Sequence, residues 1–137
     1  MPVALQYSVA IRNAQLDAVE STTGTSAVLK IRTGAPPANV AAADAGTVLA
    51  TLTLPSDWMN AASGGTKTLL GTWQDTSADN TGTAAHFRLY QSDGTTAHVQ
   101  GTVTATGGGG DMTVDNTSFA AGQSFSVTTF TLTAGNA

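Results

Sequence analysis

His86, Arg88, Tyr90 and His98 are the side chains of this sequence best suited to holding a metal ion or moving a proton, because imidazole ligates metals and titrates near neutral pH. Two histidines without an identifiable third ligand do not complete a metal site. The sequence has no cysteine, which excludes disulfides, thiolate nucleophiles and zinc–thiolate centres. Solvated or partner-facing side chains on a sheet are therefore the better reading of this group. The carboxylates Asp57, Asp75, Asp79, Asp111 and Asp115 could supply a glycosidase pair, but such a pair is defined by its separation across a cleft, which sequence spacing does not specify. The run Asp75–Gly82 offers oxygen ligands for a hard cation, yet it lacks the spacing and closing Glu of a calcium loop and reads as a polar surface loop. Gly107–Gly110 is followed by a strand pattern and not by the helix a phosphate-cradling loop needs, so it reads as a mobile connection. Neither histidine lies in a nucleophile motif of the Gly-x-Ser-x-Gly kind. These residues point away from catalysis, and no metal or cofactor is expected.

The two tryptophans serve either as core fillers or as exposed anchors for a partner or a sugar ring. Trp73, at the end of an expected strand, reads as core. Trp58 lies beside Met59 after the turn Pro55-Ser56-Asp57, and that position suits packing on a helix as well as it suits contact with a partner.

The elements that must position these side chains are legible from periodicity. Ser8 is placed to cap a helix over Val9 to Glu20, in which Ala10, Ala14 and Ala18 recur beside Ile11, Leu16 and Val19, and Ser21-Thr22-Thr23-Gly24 should end it. From Ser26 the period becomes two. Ala27, Leu29 and Ile31 alternate with Val28, Lys30 and Arg32 until Gly34-Ala35-Pro36-Pro37. Further strands are expected at Thr47–Leu54, Thr66–Trp73, Ala84–Gln91, Thr96–Ala105, Asp111–Asp115 and Ser124–Thr133, with a short one near Phe119. Phe125 and Val127 have one parity and Phe130 and Leu132 the other, which implies a bulge at Thr128-Thr129.

One hairpin can be assigned a register. For Phe87 and Leu89 to share a face with Ala97, Val99, Gly101 and Val103, opposed residue numbers must add to an even total. A loop Ser92-Asp93-Gly94 satisfies this, with Gly in the left-handed position, and it pairs Gln91 with Thr95 and Phe87 with Val99. His86 then opposes Gln100, Arg88 opposes His98, and Tyr90 opposes Thr96 on a polar face. Short strands with Gly and Pro turns and a single helix predict a mainly β fold, an antiparallel β-sandwich or jelly roll, with an N-terminal arm and helix (1–23) preceding the strands of one domain spanning 1–137.

Composition narrows the function. Only 10% of residues are charged, against about 25% in an average soluble domain. Five Lys+Arg against nine Asp+Glu give a net charge of -4, which argues against a nucleic-acid groove. No apolar run approaches the roughly 20 residues of a membrane span, and Met1–Gln6 lacks the charged start of a signal peptide, so no membrane association and no cleaved signal are expected.

The blocks Ala4–Asn13, Leu29–Gly34, Leu52–Met59, Gly101–Met112 and Phe130–Ala137 together resemble small structural proteins of tailed bacteriophages and prophages. The resemblance covers nearly the whole chain and carries no catalytic motif. It implies a virion component made in the bacterial host cytoplasm, first of all a head decoration or cement protein that binds the major capsid protein and copies of itself as a dimer or trimer. A tail or head-tail connector component is the alternative within that class, and a carbohydrate-binding module is the alternative outside it. Contacts are expected on the N-terminal segment (Val3, Leu5, Tyr7), on the helix face of Arg12 and Gln15, and around Trp58 and Met59.

Overall fold

The computed structural model describes residues 5–135. Helix α1 (Val9–Thr23) is followed by β1 (Val28–Arg32), β2 (Val48–Thr53), β3 (Thr66–Thr68), β4 (Trp73–Asp75), β5 (Gly82–Thr83), β6 (His86–Tyr90), β7 (Ala97–Ala105), β8 (Met112–Val114), β9 (Ser118–Phe119), β10 (Phe125–Val127) and β11 (Thr131–Thr133). A five-stranded sheet has the order β2-β1-β6-β7-β8, and three two-stranded ladders join β10 to β4, β11 to β3 and β5 to β9. The fold is mainly β with one helix, and its antiparallel-rich sheets curl into half a barrel.

Ser8 caps α1 as expected, its Oγ accepting from the Ile11 amide at 3.2 Å. The helix runs one turn beyond Glu20. Thr23 Oγ1 donates to the Val19 carbonyl at 2.6 Å, which lets hydroxyl residues complete the last turn, and Gly24 at φ 91° stops it.

The core lies between the five-stranded sheet and the small ladders. Leu29, Ile31, Phe87 and Leu89 from the sheet share one cluster with Trp73, Phe119 and Phe125 from the ladders and with Phe130 from the link between β10 and β11. Trp58, Trp73, Phe130 and Phe87 form a chain of tilted and edge-on rings with centroids 6.0, 5.8 and 5.6 Å apart, the offset geometry that aromatic quadrupoles favour.

Three expectations are corrected. The β6–β7 register pairs Leu89 with Val99, Phe87 with Gly101, Arg88 with Gln100 and His86 with Thr102. Facing totals stay even from His86 to Leu89, so the apolar face is as expected, but the pairing there is displaced by two residues. A bulge at Leu89/Tyr90 brings Tyr90 opposite Ala97, and the loop is one residue longer, with the Gln91 amide on the Thr96 carbonyl. Asp93 stabilises that longer loop by accepting from the Thr95 and Thr96 amides and the Thr96 hydroxyl, while Gly94 takes the expected positive φ of 71°. Thr66–Trp73 is split into β3 and β4 by Gly71 at φ 78°. The parity slip at Thr128-Thr129 is real, but it separates two strands with different partners, β10 on β4 and β11 on β3, and is not a bulge within one ladder.

The glycine run is also not a free connection. β7 and β8 are parallel, pairing Val103 with Met112, whereas parallel neighbours ordinarily require a crossover of a dozen or more residues. Here the loop doubles back along its own strand. The Gly110 amide donates to Thr104 Oγ1 at 3.0 Å, the Asp111 amide to Thr102 Oγ1 at 3.1 Å, and the Thr102 amide to Asp111 Oδ2 at 2.9 Å. A Cβ on Gly110 would sit 2.8 Å from Thr104 Oγ1 and 3.0 Å from its amide nitrogen. Gly110→Ala is accordingly expected to cost about 1–3 kcal/mol, read as a lower urea midpoint at unchanged m-value; an unaltered midpoint would show that this close approach is not needed.

Candidate functional site

The expected contact residues separate into two groups. Leu5 and Tyr7 are 47% and 36% exposed, and Gln15 is exposed on the helix. Val3 lies outside the described residues. Trp58 and Met59 are 0% and 1% exposed, so their placement at a surface is corrected: both belong to the core. The Trp58 indole N–H donates to the Gly24 carbonyl at 2.9 Å, and the backbone amides of Trp58 and Met59 both donate to Glu20 Oε2 at 3.1 Å. The turn before Trp58 therefore seats that ring under the end of α1.

Arg12 is also turned inward, its guanidinium 3.3 Å from the Ala134 carbonyl. It is one of several polar helix residues that face the body. Asn13 Oδ1 accepts from the Gly65 amide at 2.9 Å, and Asp17 Oδ1 accepts from the Ala62 amide at 2.9 Å and from Lys67 Nζ at 2.7 Å. Lys67 reaches Glu20 Oε1 at 3.0 Å as well, with its own side chain only 2% exposed. Among large apolar helix residues only Leu16 is fully buried. The helix is thus docked by polar bonds, and its outward face, with Ala10, Ile11, Ala14, Gln15, Ala18 and Thr22 exposed, carries no charge. Leu16 and Val19 still turn toward the core, as in an ordinary surface helix, but polar bonds from Arg12, Asn13, Asp17 and Glu20 flank them.

Val9 and Ile11, in the first turn of α1, are 44% and 49% exposed. Sequence reading assigned both to the helix without marking them as contact residues. The signal was present in the spacing Asn13, Asp17, Glu20, which puts polar groups at core-facing intervals and turns Ile11 outward.

Glu20, Asp57 and Lys67 line a groove of about 480 Å³ beside the helix C-terminus. The hydrogen bond to Glu20, with burial and the Glu20 charge, pushes the Asp57 carboxyl up. Burial opposes the charge on Glu20, but hydrogen bonds from Asp57, Lys67 and the Met59 amide outweigh it, and Glu20 is held below its ordinary value as the ionised member of the pair.

His86, Arg88 and Tyr90 form no solvated face: they are 0%, 2% and 0% exposed, under the segment linking β1 to β2. Asp44 of that segment bridges Arg32 Nη2 at 3.1 Å, Arg88 Nη1 at 2.9 Å and the Tyr90 hydroxyl at 2.7 Å. Gln100 Oε1 accepts from Arg88 Nε at 3.1 Å, and His86 Nδ1 lies 2.7 Å from the Gly34 carbonyl, which requires the proton on that nitrogen. His98 lies apart, in a groove shared with Gln15, Ala18 and Thr22. Among the described residues no three His, Cys, Asp or Glu side chains are grouped to hold a metal. Two of the other carboxylates serve the backbone, Asp75 accepting from the Thr51 and Ser77 amides and Asp111 from the Thr102 amide, while Asp79 accepts from the Thr51 hydroxyl at 2.8 Å.

Burial works against the Asp44 carboxylate, but bonds from Tyr90 and Arg88 and the charges of Arg32 and Arg88 outweigh it and hold its pKa below the usual range. Stability from such a group is present above the unfolded value of about 3.9 and is lost as pH falls through the lower folded value. Asp44→Asn, which leaves two buried arginines facing a neutral amide, is expected to cost about 1–3 kcal/mol at pH 7, less than a fully buried pair because the Asp44 side chain is 40% exposed, and to flatten the loss of stability between neutral and acid pH. Urea unfolding of both proteins at pH 7 and pH 3 checks this; equal stability of the two at pH 7 would refute the bridging role. Compared with protein-family models, curated proteins and solved structures, the chain matches none of them.

Proposed function

We propose that this chain is a non-catalytic structural component of a tailed-bacteriophage virion, in first place a capsid decoration (cement) protein that contacts the major capsid protein and copies of itself on the head surface. The resemblance of nearly the whole sequence to small phage structural proteins suggests the class. The observation that carries the reading is the helix face turned away from the body: Ile11, Ala14, Gln15, Ala18 and Thr22 are exposed there without a charged side chain, while Arg12, Asp17 and Glu20 bond to the body, and Leu5 and Tyr7 are exposed ahead of the helix. A neutral surface loses little on desolvation when it is covered, which suits contact with a repetitive lattice.

The mechanism is mechanical. Many copies that bind the assembled shell more tightly than its separated subunits stabilise the shell by linkage. The accompanying fold reading is a β-sandwich of jelly-roll type, supported by Trp73 and Phe125 of the small ladders, with Phe130 between β10 and β11, sharing one core with the inner face of the five-stranded sheet. A tail or connector role would use the same surface. A carbohydrate-binding module would need exposed aromatic platforms, and the burial of Trp58 and Trp73 removes the two best candidates.

Electron cryo-microscopy of the source virion tests this. Density for the chain at symmetry positions on the head, lost for Ile11→Asp, is expected. That variant should fold normally, because exposed substitutions change stability by about 0.5 kcal/mol or less. Density in the tail alone would favour the alternative, and absence from the particle would overturn the virion role.

A further inference from the structure

The segment 34–46, between β1 and β2, is a closed strap, its ends joined where the Thr33 amide donates to the Thr47 carbonyl at 3.1 Å. No residue of the strap is buried, yet Arg32, His86, Arg88 and Tyr90 beneath it are 6% exposed or less. Polar bonds seat it. Gln100 Nε2 donates to the Pro37 carbonyl at 2.8 Å, Arg88 Nη2 donates to the Asn39 carbonyl at 3.0 Å, and Asp44 accepts from Arg32, Arg88 and Tyr90. A covering segment without a core residue of its own is a unit that opens locally while the rest of a fold stays intact.

Two features of the face under the strap define what it holds. The first is charge: β1, β6 and β7 contain no Asp or Glu, and among the described residues the carboxylate paired with Arg32 and Arg88 is that of Asp44, which the strap itself brings. The second is a pair of buried atoms, Arg32 Nε and His86 Nε2, with no hydrogen-bond partner among the described residues. Their side chains are directly opposed in the β1–β6 ladder. His86 Nδ1 carries its proton to the Gly34 carbonyl, so Nε2 is an acceptor, while Arg32 Nε is a donor. One hydroxyl, accepting from the first and donating to the second, satisfies both, whereas a carboxylate oxygen there would set acceptor against acceptor. On Arg32 the Nε and Nη2 hydrogens point the same way along one edge of the guanidinium, and Nη2 holds Asp44 Oδ2 at 3.1 Å. The missing hydroxyl therefore belongs beside a carboxylate.

We propose that this face is a binding site for a hydroxy-carboxylate and that Asp44 is its internal stand-in. When the strap lifts, the carboxylate of the ligand replaces that of Asp44 on Arg32, Arg88 and Tyr90, and the adjacent hydroxyl accepts from Arg32 Nε and donates to His86 Nε2. The closed strap lowers the apparent affinity by the fraction of molecules in which it is open, so removing the Asp44 carboxylate strengthens binding. The site goes beyond the proposed function and does not rest on it.

Sodium glycolate and sodium acetate, which differ by one hydroxyl, are the probes, titrated at constant ionic strength while the Arg32 Nε–H resonance is followed by NMR. Asp44→Ala is expected to bind glycolate roughly tenfold more tightly than the unaltered protein does and about tenfold more tightly than it binds acetate. Adding Arg88→Leu to Asp44→Ala should remove the binding of both. Glycolate held by Asp44→Ala no better than acetate, or no better than by the unaltered protein, overturns the proposal. Should Asp44→Ala fail to fold, the unaltered protein decides, through phenylglyoxal modification of Arg32 and Arg88 mapped by mass spectrometry. Modification under native conditions that glycolate slows more than acetate does sustains the site. Modification only at the rate of global unfolding, or without protection by glycolate, overturns it.

Discussion

The buried ammonium of Lys67 is the constraint on which the arrangement of this protein turns. A cation removed from water requires opposite charge and hydrogen-bond acceptors close by, and the helix supplies both through Asp17 and Glu20. Because Lys67 belongs to β3 and β3 pairs with β11, the same contact ties the helix to the two-stranded ladder that closes the core. Glu20 then gives its second oxygen to the amides of Trp58 and Met59, which sets the Trp58 ring beneath the helix end and starts the aromatic chain to Phe87. Helix position, tryptophan burial and ladder closure are consequences of one charge that must be satisfied.

A second polar centre repeats the principle on the opposite side of the sheet. Arg32 and Arg88 converge on Asp44, and Tyr90 and Gln100 supply further bonds. With Lys67, three of the five Lys and Arg residues are buried. A chain already poor in charge thus directs most of its cations inward, Lys67 to the helix carboxylates and the two arginines to Asp44.

Much of this was legible in the residues, and the limits are instructive. The Ser8 cap, the helix start, the shared apolar face of Phe87 and Leu89 and the core position of Trp73 follow from local rules of capping and alternation. The parity slip at Thr128-Thr129 was readable, but not its cause, because parity reports which face a residue takes and not which strand it joins. The β6–β7 register was displaced by two residues because any even displacement preserves the apolar face, and the choice among such registers was made by Asp93 holding a longer loop. The polar face of His86, Arg88 and Tyr90 was correctly grouped, and its burial was missed because the covering segment arrives from forty or more residues away with Asp44.

The sequence by itself determined the class of fold, the one helix, the strand alternation and the absence of thiol chemistry, since each follows from the conformational preference of neighbouring residues or from composition. Only the tertiary structure decided which polar residues are interior. Whether Lys67 is a solvated ammonium or the buried partner of Asp17 and Glu20 depends on a helix about fifty residues earlier, and whether Trp58 is an anchor or a core ring depends on Glu20 and Gly24 above it. Burial is a property of what covers a side chain, and in this fold the covering groups come from distant parts of the chain.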